Sequence, residues 1–233
     1  MQSAVFTLRY PHLAIAGSDE RFPVHRIYCV GQNYAAHARE MGNDPEREAP
    51  VWFTKVPDSV VPGGGRVVYP PGTSDLHHEV ELVVALSAGG ADLSPTAAHA
   101  LIHAYAVGID LTRRDLQAAA KKAGRPWDTA KSFEQAAPVS ALHRAADIGH
   151  PASGRIWLSV NGESRQEGDI GDLIWPVAEA LSALSRLFTL APGDLLFTGT
   201  PSGVGPVVAG DRITCGIDGI DELQVDIVAP ATG

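Results

Sequence analysis

Glu79-Val80-Glu81-Leu82-Val83-Val84-Ala85-Leu86 opens with polar–apolar alternation and then turns solidly apolar. That pattern predicts a strand entering the core. Residues two apart on a strand share a face, so Glu79 and Glu81 point the same way. Tyr105 to Leu111 (YAVGIDL) predicts a second strand, with Asp110 inside an apolar run. Working outward, strands are expected at Ile27 to Val30, ended by Gly31, at Val51 to Lys55, and at Trp157 to Val160. Asn161-Gly162 then suits the type I′ turn of a hairpin. Short strands broken by Gly and Pro fill Leu195 to Val228.

Helices are fewer. Asn33 is a candidate N-cap for Tyr34 to Met41, which Gly42 stops. Ser94 to His103 opens with a Ser-Pro helix start. Thr112 is a plausible N-cap for Arg113 to Lys122, and Trp175 to Phe188 carries the longest helical pattern. The fold class is therefore α+β, mainly β. Gly 24 and Pro 17 suit strands and turns better than a bundle. The helix–strand alternation is too irregular for a Rossmann sheet or a TIM barrel.

The 233 residues fit one large domain, or one domain plus a small appendage. Residues 1–24 read as a short strand-rich leader and 25–233 as the main domain. Lys and Arg number 18 against 27 Asp and Glu, for a net charge of −9. A general nucleic-acid binder needs a basic face, so that class is set aside. Cys29 and Cys215 stand alone, with no CxxC and no cysteine framework. Arg9 and Pro11 interrupt the place where a signal peptide needs an apolar run, and no window reaches membrane-span length. The expectation is a soluble, cytoplasmic protein with two reduced thiols and no membrane partner.

Two adjacent carboxylates repel unless a cation or a proton separates them. Asp110, among core residues, also needs a partner. Glu79, Glu81 and Asp110 together suit a hard divalent cation, with Lys131 available as a further positive charge. A solvated strand face with a turn-capping Asp110 is the competing reading. His77 and His78 lack HExxH spacing and read as surface or supporting residues. His37 and Glu40, three apart on a short helix, share a face. A carboxylate beside an imidazole raises its basicity, which is how a general base for water is built. An ordinary surface pair is the alternative. Arg113, Arg114 and Asp115 read equally as an anion site or a salt-bridged helix start. The Gly199–Gly205 segment is neither a Walker loop nor a nucleophile elbow. It can aim amides and a hydroxyl at a carboxylate, or simply turn.

The ordered set of segments resembles the fumarylacetoacetate hydrolase superfamily. It begins with Gly31-Gln-Asn-Tyr-Ala-Ala-His37-Ala-Arg-Glu40 and Leu76-His-His-Glu79-Val-Glu81-Leu82. Gly108-Ile-Asp110-Leu-Thr-Arg-Arg114-Asp115, Gly124-Arg-Pro-Trp127 and Ala130-Lys131-Ser-Phe133 follow. Val160-Asn-Gly162, Arg165-Gln-Glu-Gly168 and Gly193-Asp194 running into Thr198-Gly-Thr200-Pro-x-Gly-Val-Gly205 complete it. The likeness implies a mixed β-roll with short helices, usually a homodimer, with 25–233 as the catalytic domain. It implies Glu79, Glu81 and Asp110 as ligands of Mg²⁺ or Mn²⁺, and His37 and Glu40 as a water-activating dyad. It implies Lys131 as catalytic, and Arg114, Gln117, Thr200 and Gly199 as substrate contacts. The substrate class implied is an acylpyruvate, a 2,4-diketo acid. Asn43-Asp-Pro-Glu-Arg-Glu48 and Gly108 to Gln117 resemble the members that take fumarylpyruvate in gentisate-type aromatic degradation. Oxaloacetate decarboxylases and hydroxymuconate-type isomerases share the core motifs and stay as alternatives. A non-catalytic metal-binding protein is the further one.

Overall fold

The computed structural model describes residues 5, 6, 10–35 and 48–231. The leader supplies β1 (His12–Ala14) and β2 (Arg21–Pro23), which pair antiparallel. Next come β3 (Arg26–Gly31), β4 (Val51–Lys55), β5 (Val60–Pro62) and β6 (Gly65–Val68). The segment around the two glutamates splits into β7 (Leu76–His78) and β8 (Val80–Leu86), with Glu79 in the break between them. After α1 (Pro95–His99) run β9 (Ile102–Ile109), β10 (Thr112–Arg113), α2 (Arg114–Ala123) and α3 (Asp128–Lys131). β11 (Ala137–Val139), β12 (His143–Arg144) and α4 (Ala145–Ile148) lead to the hairpin β13 (Arg155–Val160) and β14 (Glu163–Asp169). α5 (Val177–Ser185), β15 (Asp194–Phe197), β16 (Gly205–Val207), β17 (Arg212–Ile217) and β18 (Asp221–Val228) finish the fold.

One large mixed sheet runs β4-β3-β15-β8-β9-β11-β5, with β12 added on β9. A second runs β14-β13-β17-β18-β6, and a small one runs β10-β7-β16. The period of two along β8 explains why its sequence becomes solidly apolar. Val80, Leu82, Val84 and Leu86 enter a core shared with Ile156, Leu158, Ile213, Val225 and α5. Val83 and Ala85 enter a second core on the opposite face, with Ile27, Phe197 and Val139. A strand covered on both faces carries no solvated side. Leu13, Ile15, Phe22 and Val24 pack in that second core, so the segment that carries β1 and β2 helps close it.

Several expectations need correction. Thr112 is not the N-cap of α2. Arg113 stands there without a side-chain cap, because the Thr112 hydroxyl donates to the Asp110 carbonyl and accepts from Lys131. The Trp175–Phe188 pattern yields only nine helical residues, since Pro176 cannot continue a helix toward its N-terminal side. The helix read from Ser94 ends at His99, and Ile102 already belongs to β9. Of the two readings of His78, surface or supporting, the surface one fails: the residue is fully buried against Gln166. The hairpin turn holds: Asn161 and Gly162 both take positive φ, at 53° and 83°. Most of Ala4 to Leu8 and of the Tyr34–Met41 helix lies outside the described residues, as do His37 and Glu40. Among the described residues, no helix is long and apolar enough to cross a membrane.

Candidate active site

The pairing of β8 with β9 sets Glu81 opposite Gly108, which brings the start of one strand beside the end of the other. Asp110 follows β9 directly, and Glu79 sits in the β7–β8 break. The three carboxylates are buried and offer oxygen atoms within 4.8 Å of one another. Gly108 keeps the strands close. A Cβ there would stand 2.5 Å from Val83 Cγ2 and 2.8 Å from Phe197 Cε1.

Lys131, at the end of α3, is 2% exposed and turns into this cluster. Its Nζ donates to Glu79 Oε2 (2.8 Å), Asp110 Oδ2 (2.6 Å) and Thr112 Oγ1 (2.7 Å). All three ammonium protons are thereby satisfied. Burial would push the Lys131 pKa down, but Asp110 and then Glu79 outweigh it, and the net shift is upward. Arg114 pairs with Glu79 and donates to Gln117 Oε1 at 2.5 Å and to His77 Nδ1 at 3.3 Å. His77 Nε2 in turn meets Asp75 at 2.9 Å, so His77 steadies the guanidinium.

Glu81 has the least support. It accepts from the Gly199 amide at 2.6 Å, yet burial, then Asp110 and Glu79, drive its carboxyl well above the usual range. Lys131 and the Gly199 amide only partly oppose this. Gly199 takes φ +99° in close contact with Asn33, where a Cβ would approach to 2.7 Å. Its amide is thus committed to Glu81. A buried, all-oxygen donor set with a carboxylate held against its own ionisation fits a hard divalent cation.

Three residues here were not among the expected site residues. Lys55 is buried, with Nζ 2.7 Å from Asp110 Oδ1, and it donates to the carbonyls of Lys131 (2.5 Å) and Leu111 (3.2 Å). Gln166 Oε1 accepts from His78 Nδ1 (2.9 Å) and the Val80 amide (3.1 Å), and Nε2 donates to Thr200 Oγ1 (2.7 Å) and the Pro201 carbonyl (2.9 Å). Asn33 ties Trp175 to Thr198 through its side chain. Gln166 was within reach, since it stands in the Arg165–Gly168 segment. Nothing in sequence distinguished Lys55 from an ordinary strand-end lysine. Glu79, Glu81, Lys131, Arg114, Gln117, Gly199 and Thr200 all line one cleft, together with Phe53, Lys121 and Trp127.

A cleft that joins clustered carboxylates to a buried lysine and an arginine, on this sheet topology, defines a class. The chain belongs to the fumarylacetoacetate hydrolase family: residues 26–228 match the family model described as Fumarylacetoacetate (FAA) hydrolase C-terminal. Two names stand out among the particular relatives. A fumarylpyruvate hydrolase of Ralstonia sp is 44% identical over 184 residues, covering 79% of this chain and 95% of that protein. A mitochondrial oxaloacetate tautomerase of Arabidopsis thaliana is 43% identical over 202 residues, covering 87% and 90%. Among solved structures, fumarylpyruvate hydrolase from Pseudomonas aeruginosa in complex with Mn²⁺ and pyruvate superposes with a TM-score of 0.95. It is 50% identical, and the match covers 98% of this chain and 100% of that one.

Proposed function

We propose that the chain hydrolyses a carbon–carbon bond of an acylpyruvate, converting fumarylpyruvate to fumarate and pyruvate. The observation that carries this reading is the clustering of Glu79, Glu81 and Asp110 with Lys131 and Arg114, where all but the fully buried Asp110 line one cleft. Such a site offers both a cation seat and fixed positive charge to a keto acid. The P. aeruginosa enzyme, with its Mn²⁺ and pyruvate, supports the same reading.

Glu79, Glu81 and Asp110 would hold Mg²⁺ or Mn²⁺, which when bound supplies Lewis-acid polarisation of the 2-keto group. The proximal carboxylate falls to Gln117 and Thr200. Gln117 Oε1 is taken by Arg114, which leaves its Nε2 protons to donate. Thr200 Oγ1 accepts from Gln166, which leaves its own proton free for substrate. In this reading His37, held by Glu40, takes a proton from water as the water oxygen bonds to the C4 carbonyl carbon. The C3–C4 bond then breaks, its electron pair passes to the pyruvate fragment, and a proton delivered to C3 completes pyruvate. Lys131 stands as the fixed charge against which the enolate develops, and electrostatic stabilisation of that kind is usually the largest catalytic contribution.

The tautomerase names among the relatives favour a second reading, proton exchange at C3 of oxaloacetate with no attack by water. His37→Ala separates the two. Under the hydrolase reading it abolishes release of fumarate and pyruvate while the affinity for pyruvate, measured by calorimetry on the Mn²⁺-loaded protein, stays near wild type. Undiminished hydrolysis by the variant would overturn the dyad.

A further inference from the structure

α2 presents more than Arg114 and Gln117 to the cleft. Lys121 lines it as well, at spacings of three and four residues that put all three on one helix face. At 1.5 Å per residue, Lys121 lies about 10 Å further along the helix axis than Arg114. Arg114 and Gln117 bond to each other, and Arg114 pairs with Glu79, so they belong to the carboxylate end.

Lys121 lines the same cleft from further along the helix. It is half-buried, with Nζ 5.1 Å from the centre of the Trp127 ring, and among the described residues no carboxylate pairs with it. Burial, then Arg114, lowers its pKa, with Glu79 opposing. A half-desolvated ammonium packed on an aromatic face and facing a cleft is a receptor for an anion arriving from solvent. Its neighbour Lys122 is exposed and does not line the cleft.

We propose that Lys121 binds the distal carboxylate of the substrate, so that the cleft selects keto acids with a second anionic group at the end of the acyl chain. The assignment rests on the acylpyruvate reading and sharpens it to dianionic substrates. The four-carbon stem of Lys121 gives the reach to meet a carboxylate several carbons from the keto-acid end.

Calorimetric titration of the Mn²⁺-loaded protein with 2-oxoheptanedioate and with 2-oxoheptanoate tests it, since these differ only in the distal group. Wild type should prefer the diacid by about tenfold or more, the scale of one charge-assisted hydrogen bond. Lys121→Met should erase that preference and leave 2-oxoheptanoate binding unchanged, while Lys121→Arg and Lys122→Met keep it. Equal binding of the two acids by wild type, or an undiminished preference in Lys121→Met, would overturn the assignment. So would an equal loss for both ligands, which marks Lys121 as a structural prop. A Lys121-dependent preference without any fumarylpyruvate hydrolysis would instead sink the hydrolase reading and leave Lys121 in place.

Discussion

Glu81 shows how one residue couples the site to pH. Burial, then Asp110 and Glu79, hold its carboxyl protonated far above the range of a free carboxylate. A divalent cation needs the ionised form, so binding must release a proton and must weaken as the pH falls. The metal-free folded chain binds a proton that the unfolded chain has already lost. Its stability therefore declines as pH rises from the ordinary carboxylate value toward the raised folded one. Thermal unfolding in EDTA and in Mn²⁺ should show a stabilising increment from metal that grows with pH across this window. Glu81→Gln should flatten the EDTA curve and remove most of the increment. An increment independent of pH in the wild type would contradict the account. Lys55 and Gln166 belong to the same scale. Their partners lie 34 to 88 positions away in sequence, so no local pattern marked them as buried. Glu79, Glu81 and Asp110 were legible because carboxylates in apolar strands violate the local pattern and demand a partner.

At the scale of elements, the site depends on how closely β8 and β9 approach. Gly108 faces Glu81 across that pair and stands two residues before Asp110. Gly108→Ala should press a methyl group against Val83 and Phe197, at a cost of about 1–3 kcal/mol in urea unfolding. It should also weaken metal binding by separating Glu81 from Asp110. An unchanged urea midpoint would show that the strands yield without strain. Val51–Lys55 and the Asn161-Gly162 hairpin could be read directly, because β-branched and aromatic composition and turn chemistry are local. The break at Glu79 could not. It arises because β7 leaves the large sheet to pair with β10 and β16. The Thr112 cap failed for a similar reason, since Lys131 competes for its hydroxyl from nineteen residues away.

Across the whole molecule, a net charge of −9 offers no general attraction for an anionic keto acid. Under the acylpyruvate reading, capture would fall to the local field of Arg114, Lys121 and Lys131, which line one cleft. Family membership accounts for the architecture but leaves the chemistry divided, since relatives of similar identity carry hydrolase and tautomerase names. The distinction lies in whether water attacks C4 or a proton merely exchanges at C3. The most direct measurement follows the ultraviolet absorbance of fumarylpyruvate on addition of the protein, first with Mg²⁺ or Mn²⁺ and then with EDTA. Metal-dependent decay that yields pyruvate and fumarate in equal amounts and stops on chelation is the expected result. Stable absorbance with the cation confirmed bound, alongside rapid keto–enol exchange of oxaloacetate, would contradict it.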